Sequence, residues 1–346
     1  MDQQHRKASA SPSKKSGGNG GSNGSASALG NGELAEILLE QAARDEGVDD
    51  NQLLFGTHPD QFWFAEDGDD DGPATTTRRQ QDDKLPGLRP KHEGKEYEDF
   101  TDGTAFVKGA NDAHAIDPND VKQGALGDCY LIAGMAAVAR ADPKLIEKLI
   151  KDNGDGTFDV SLYIRPRRYG YPRLVTKTVD SRLAVKSSGR PLYAGHGDKE
   201  DGKTELWTAL IEKTLAQHKS SYDLISGSKI GKDGFAYAGT NELLTGKIEN
   251  YFSTDGMDAD EALLWIDMAL EEGKPVTAGT RNLKDDPTMT AEAKSQNVYW
   301  NHAYAPESVD LESETIDLQN PWGSSHVEGL SGEDFIRFYR NIRIGG

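Results

Sequence analysis

The apolar and polar positions of the chain divide it into two regimes, with sustained periodicity setting in between Leu85 and Tyr97. Residues 1–32 are mostly Ser, Gly, Asn, Ala and Lys. Such a composition buries too little surface to offset ordering entropy, which predicts a disordered tail. In "GELAEILLEQAARDEG" (Gly32–Gly47), Leu34, Ile37, Leu38 and Ala42 share one stripe and predict a short amphipathic helix. Packing on a neighbouring surface and a docking or pro-segment role both suit it. "AEDGDDDGPATTTRRQQDD" (Ala65–Asp83) reads as a solvated linker, because its aspartates lack the glutamate that a calcium loop requires. Residues 1–90 are therefore expected to form a low-complexity region, and residues 91–346 the folded domain.

Within the folded part, "CYLIAGMAAVARA" is apolar on nearly every face and predicts a buried helix. "PKLIEKLI" (Pro143–Ile150) predicts a second helix with Pro in its first turn. "DNGDGTFDVSLYI" predicts a glycine-rich hairpin turn at Asp152–Gly156, then an alternating strand. "TELWTALIEKTLAQ" (Thr204–Gln217) predicts a helix capped by Thr204, with Leu206, Trp207, Leu210 and Ile211 on its apolar face. "ADEALLWIDMALEEGKP" predicts another, stopped by Gly273 and Pro275. "KPVTAG", "NVYWNHAYA", "ETIDLQNPW" and "RNIRI" predict strands. Helices lie mostly early and strands mostly late, which makes the expected fold class α+β, with about 91–250 helical and about 251–346 β-rich.

Composition narrows the functional classes. Net charge is −19, with a pI near 4.8. An acidic surface argues against nucleic acid as a partner, since phosphate binding needs a basic stripe. The single cysteine excludes an internal disulfide. No run of 18 apolar residues exists, so no membrane span is expected. The N-terminus lacks the apolar core of a secretory signal, which predicts a cytoplasmic protein unless another export route serves it.

Candidate chemistry starts at Cys129. A lone cysteine is commonly a small buried hydrophobe. Here it opens the buried helix, where free N–H groups and the helix dipole favour a thiolate. Gly124 and Gly127 permit a sharp backbone before it, and Gln123 offers a side-chain N–H to an oxyanion. A thiolate nucleophile needs a base. In "VYWNHAYA", alternation places Val298, Trp300, His302 and Tyr304 on one strand face, a desolvated setting for an imidazole that also suits a core histidine. Asn320 follows 320 − 302 = 18 residues later, a spacing for two adjacent antiparallel strands. It can fix the imidazole tautomer, with Trp322 shielding that bond, or serve as a turn residue before Pro321. Together the residues follow the order Cys, His, Asn of papain-like proteases.

"DVKQGALGDCYLIAGMAAVA" resembles the active-site signature of calpains. "TELWTALIEKTLAQ" resembles their Glu-aromatic-Trp helix, with Leu206 in the aromatic's place. "NHAYA" and "LQNPWG" resemble their His and Asn-Pro-Trp blocks, and "VDSRLAV" and "SGEDFIRFYRNIRI" match weaker family patterns. The resemblance covers residue 95 or so to the end. It implies a two-lobed papain-like fold, with Cys129 as nucleophile in the helical lobe and His302 and Asn320, as base and orienter, in the β-rich lobe. It implies Gln123 as oxyanion donor with the Cys129 N–H, and Trp322 as the aromatic flanking the cleft. The activity implied is endopeptidase cleavage through a Cys129 thioester. The alternatives weighed are a catalytically silent calpain-fold binding module and a transglutaminase-like acyltransferase.

The resemblance further implies protein or peptide substrates, a monomer, and calcium as an activator rather than a participant in the chemistry. Asp120 and Glu205 fall where acidic ligands are expected, and suit a loop acid and a first-turn acid equally well. His326 stands where an acid follows the Asn-Pro-Trp-Gly block, so a second calcium site is not expected. No EF-hand module is expected in the sequence ending at Gly346. The segment "GTHPDQFWFAEDGDD", with Phe62, Trp63 and Phe64, is the best candidate for a cleft-blocking segment, or else for a satellite of the core.

Overall fold

A computed structural model describes residues 96–346, apart from 111, 166–170, 228–238 and 285. The expectations for the tail, the Gly32–Gly47 helix, the Ala65–Asp83 linker and the Phe62–Phe64 segment lie outside the described residues. The described chain is a mixed α/β structure. Its strands are β1 (Tyr97–Asp99), β2 (Gly103–Thr104), β3 (Ile150–Asp152), β4 (Thr157–Ile164), β5 (Arg173–Asp180), β6 (Arg182–Ala184), β7 (Lys199–Glu200) and β8 (Lys203–Glu205), then β9 (Glu249–Ser253), β10 (Val276–Thr280), β11 (Ala303–Asp310), β12 (Thr315–Gln319), β13 (Val327–Ser331) and β14 (Tyr339–Gly345). Its helices are α1 (Cys129–Ala141), α2 (Pro143–Glu147), α3 (Trp207–His218), α4 (Thr240–Thr245), α5 (Ala259–Glu271), α6 (Pro287–Ser295) and α7 (Gly332–Phe338). Among the described residues, no helix is long and apolar enough to cross a membrane.

Two hydrophobic clusters organise these elements. The first gathers Leu131, Ile132 and Met135 of α1, Trp207, Leu210 and Ile211 of α3, and Phe158, Val160 and Leu162 of β4. The second gathers Leu263 and Ile266 of α5, Phe335 and Phe338 of α7, and Tyr304, Ile316, Leu318 and Ile342 from a six-stranded sheet ordered β13-β12-β11-β10-β14-β9. The antiparallel β11–β12 pair aligns Ala305 with Gln319. Helix α1 is buried from Leu131 to Ala139 and lies against β10 and β11, so it touches both clusters.

Several predicted elements stand. The β3–β4 hairpin turns through Gly154 (φ 74°) and Gly156 (φ 81°), left-handed positions that glycine occupies without strain. Helix α5 stops as expected, with Gly273 at φ 65°. Other readings need correction. The second helix ends at Glu147, and Ile150 begins β3 instead, because its partner Val160 draws it into the sheet. Thr204 is not a cap. It lies in β8, paired in parallel with β2, where its backbone N–H donates to the Asp102 carbonyl (3.0 Å) and its hydroxyl to Asp102 Oδ2 (2.6 Å). Sheet pairing thus takes the residue, and α3 starts at Trp207 without a side-chain cap.

Candidate active site

Each side chain of interest stands at the end of an element. Cys129 is the first residue of α1. His302 immediately precedes β11, where Thr280 of β10 holds its backbone: the His302 N–H donates to Thr280 Oγ1 (2.8 Å), and the Thr280 N–H (2.9 Å) and hydroxyl (3.1 Å) donate to the His302 carbonyl. Asn320 follows the last residue of β12. Because β11 and β12 are antiparallel neighbours, the 18-residue spacing brings the two together. His302 Nε2 and Asn320 Oδ1 are 3.0 Å apart, and both residues are buried. The Asn320 amide is itself fixed, since Oδ1 accepts from the Trp322 N–H (3.1 Å) and Nδ2 donates to the Ser325 carbonyl (3.2 Å). Oδ1 only accepts, so Nε2 carries the proton and Nδ1 keeps its lone pair.

The strand-face reading of His302 needs revision. Residues 298–302 are not a strand, and Asn301 turns the backbone at φ 48°. That turn breaks the alternation and leaves Trp300 43% exposed. The rings around the imidazole are instead Trp322 (4.7 Å between centroids), Tyr304 (5.0 Å) and Tyr299 (6.5 Å). Trp322 is 39% exposed and shields His302 from one side. Burial pulls the imidazole below its ordinary pKa, and the bond to Asn320 opposes that shift only in part.

Cys129 sits beside the same strand, its sulfur near enough to the Ala303 N–H, one residue beyond His302, for that dipole to favour the thiolate. Among the described residues, no hydrogen bond joins Cys129 to His302. Burial works against the thiolate expected at the helix start. Burial pushes the thiol up to about 11 and the neighbouring Asp128 charge adds to this, against the N–H groups of Ala303 and the first helical turn. Gln123 is tied to the other side of the site, its backbone N–H donating to the Pro321 carbonyl (2.8 Å). Its Nε2 donates to the Leu126 carbonyl (2.8 Å) and, at a longer 3.4 Å, to Asp128 Oδ1. The sulfur, imidazole, amide and Trp322 ring therefore surround one locus.

A second polar cluster lies upstream. Carboxylate oxygens of Asp112, Asp120 and Asp198 come within 4.8 Å of one another. Asp120 closes the short 3-10 turn Pro118–Asp120 and accepts from Trp207 Nε1 (3.1 Å) and the Asp117 N–H (2.7 Å). Glu205 adjoins it and accepts from the Val107 N–H (2.8 Å). Glu205 ends β8 and is not the first-turn helix acid that the sequence pattern allowed. Burial raises Asp112 to about 6 and Glu205 to about 9, and Asp120 shifts the same way for the same reason. A Cβ on Gly109 would lie 1.7 Å from Asp198 Oδ2, so only glycine lets the backbone close on this group. Crowded, all-oxygen and acidic, the donors fit a hard divalent cation.

Residues 92–334 match the calpain family cysteine proteases. The chain belongs to that family. Calpain-8 of Rattus norvegicus is 29% identical over 221 residues, 61% of this chain and 28% of that protein. The Calpain-2 catalytic subunit of Gallus gallus is 29% identical over 226 residues, again 61% of this chain and 29% of the relative. A Calpain of Schistosoma mansoni is 25% identical over 254 residues, 70% of this chain and 30% of its own length. The match thus spans less than a third of these relatives.

Some supporting residues were not legible in the calpain motifs. His326 Nδ1 accepts from the Asn320 N–H (3.1 Å), so the residue found in place of an acid holds Asn320. Gln319 donates through Nε2 to the Pro118 carbonyl (2.7 Å), and Arg140 of α1 donates to Gln319 Oε1 (3.0 Å). These bonds join positions about 200 and 180 residues apart, which no local pattern reports.

Proposed function

We propose that the chain is a cysteine endopeptidase of the calpain type. The helix-rich first cluster forms a lobe carrying Cys129, the sheet-rich second cluster a papain-like lobe carrying His302 and Asn320, and substrate lies between them. The observation that carries this reading is the His302–Asn320 bond, which leaves Nδ1 as an acceptor next to Ala303, the strand residue whose N–H faces the Cys129 sulfur. In the proposed reaction, His302 Nδ1 takes the Cys129 proton as the sulfur attacks a peptide carbonyl. The developing oxyanion is held by the Cys129 N–H and by Gln123 Nε2, which exchanges its long contact with Asp128 for the new charge. His302 then protonates the leaving amine, and water, deprotonated by His302, hydrolyses the thioester. Trp322 keeps solvent from the His302–Asn320 bond. Because Cys129 and His302 share no hydrogen bond at rest, the sulfur and Nδ1 must come into hydrogen-bond contact before proton transfer.

The Asp112, Asp120, Asp198 and Glu205 carboxylates are the residues that would hold calcium. Bound there, the ion neutralises their charge and supplies no chemistry to bond cleavage. The turn that carries Asp120 also carries the Pro118 carbonyl bound by Gln319, the neighbour of Asn320, so the cluster and the His302 orienter share one strut. Protein and peptide substrates, a monomeric state, no nucleic-acid partner and a cytoplasmic site of action belong to the same proposal, as does a boundary near residue 91.

The high thiol pKa and the absent Cys129–His302 bond favour a second reading, a silent calpain-fold binding module. A peptidyl epoxide separates the two. The endopeptidase reading predicts labelling at Cys129 that His302→Ala abolishes. A fold-competent wild type left unlabelled with and without calcium would favour the silent module.

A further inference from the structure

Asp128 occupies the N-cap position of α1, where an aspartate ordinarily accepts from the first-turn N–H groups. Here it makes no such bond. Its side chain turns into the protein, is fully buried, and meets the carboxyl of Glu212 from the middle of α3, which is buried as well. Both Glu212 oxygens face the Ala194 N–H, at 3.2 and 3.0 Å. Asp128 Oδ1 receives the Gln123 amide, whereas among the described residues Oδ2 has no N–H or O–H donor apart from what Glu212 can offer. Among the described residues, the titratable groups facing the pair are Cys129, Tyr193 and Tyr222, with Tyr97 behind Tyr222. None of these four brings a positive charge. Two ionised carboxylates in contact and out of water would lack any compensation.

We propose that Asp128 and Glu212 share one proton, and that this acid–carboxylate pair is a positioning device that withholds Asp128 from capping α1. The Cys129 and Tyr130 N–H groups are thereby left to the sulfur and the oxyanion, the Leu131 N–H being taken by the Asp128 backbone carbonyl (2.8 Å), and Gln123 is held at the mouth of the site. The surrounding backbone is strapped to the same pair. Ala194, bound by Glu212, lies in a segment whose Leu192 carbonyl accepts from the Ala125 N–H (2.8 Å), while its Gly195 N–H donates to the Lys122 carbonyl (2.7 Å). The loop carrying Gln123 is thus clamped at both ends. Burial raises both carboxyls, Asp128 to about 7 and Glu212 further, in keeping with a retained proton. Without a donor from Glu212, the Asp128 carboxylate would turn to the helix N–H groups, compete with the nucleophile for them, and bring its charge closer to the sulfur.

This inference deepens the endopeptidase reading, but its test needs no turnover. Cys129 is the only cysteine, so alkylation of the full chain by iodoacetamide reads that sulfur alone. The rate is followed from pH 6 to 11 in wild type, Glu212→Leu and Glu212→Gln. Glu212→Leu removes the donor, and its alkylation at pH 8 should fall about tenfold, one pKa unit in thiolate population. Glu212→Gln keeps a neutral donor of the same shape and should restore the wild-type profile to within about twofold at each pH, since a shift that small is below a third of a unit. If Glu212→Leu does not fold, Glu212→Gln decides alone. A profile for Glu212→Gln displaced tenfold in either direction would mean that Glu212 was ionised, and would overturn the pair. A folded Glu212→Leu that alkylates like wild type would overturn the positioning role. A wild type that alkylates normally but never cleaves peptides would instead defeat the endopeptidase reading and leave the pair standing.

Discussion

Replacing Asn320 with alanine perturbs the contact on which the catalytic reading rests. Asn320 Oδ1 accepts from His302 Nε2 at 3.0 Å and from the Trp322 N–H at 3.1 Å, and Asn320 is fully buried. Truncation therefore leaves a buried imidazole N–H without an acceptor and releases the tautomer that presents Nδ1 to the thiol. A hydrogen bond to neutral imidazole contributes about 1 kcal/mol, and one to imidazolium about 1.5–3 kcal/mol. The charged form develops only as the sulfur attacks, so the loss falls chiefly on the transition state. The difference between the two, about 0.5–2 kcal/mol, gives a drop in kcat of roughly 30-fold at its upper end. The substrate makes no direct use of Asn320, so KM should stay within about twofold. Steady-state hydrolysis of a fluorogenic peptide provides the assay, with the thermal midpoint as a control for folding. Asn320→Asp adds a sign: a carboxylate against the ring favours imidazolium and raises the His302 pKa. The acid limb of kcat/KM should move to higher pH. A kcat for folded Asn320→Ala within twofold of wild type, or a loss confined to KM, would refute the reasoning.

Three further outcomes follow from the geometry. Asp112 and Glu205 sit at about 6 and about 9, above their ordinary values, so the folded chain holds protons that the unfolded chain releases near pH 4. Their contribution is complete below about pH 4 and is lost as pH rises through these two values; the cation-free thermal midpoint should therefore fall from pH 5 to 9. Calcium should restore it most at the alkaline end, and a flat cation-free profile would contradict the assignment. Trp322→Ala admits water to a His302 whose pKa burial now lowers, so the acid limb should rise by roughly half a unit to one unit; a fall would show that the ring is not a solvent shield. Gly124→Ala places a Cβ 1.9 Å from the Tyr193 carbonyl oxygen and 2.5 Å from that of Leu192. Both are backbone atoms, so the change should cost about 3 kcal/mol in urea unfolding, and a loss below about 0.5 kcal/mol would place that segment elsewhere.

What the sequence revealed, and what it concealed, divides by the range of the interaction. Helix α1 was legible because thirteen nearly uninterrupted apolar or small residues can only be buried. The meeting of His302 with Asn320 was legible because a hairpin of two strands is a local event. The thiol's resting state was not, since the helix start favours a thiolate while burial and Asp128, which depend on the assembled core, oppose it more strongly. Thr204 misled because a threonine before an apolar helix resembles a cap, whereas its partner Asp102 lies about 100 residues earlier. Trp300 misled because the Asn301 turn interrupts a run that alternates on paper. The buried Asp128–Glu212 pair, the His326 support and the addition of Asp112 and Asp198 to the expected acids Asp120 and Glu205 each join residues from separate segments. Their positions carry no periodic signal, and only the fold brings them into contact.

The central claim is that Cys129, served by His302 and Asn320, cleaves peptide bonds. The most direct measurement is the appearance of new N-termini from casein, with wild type and Cys129→Ala compared across a calcium titration and with residues 1–90 present or removed. The account predicts cleavage by the wild type in at least one of these conditions and none by Cys129→Ala. Equal cleavage by both proteins, or none by a folded wild type in any condition, would contradict it.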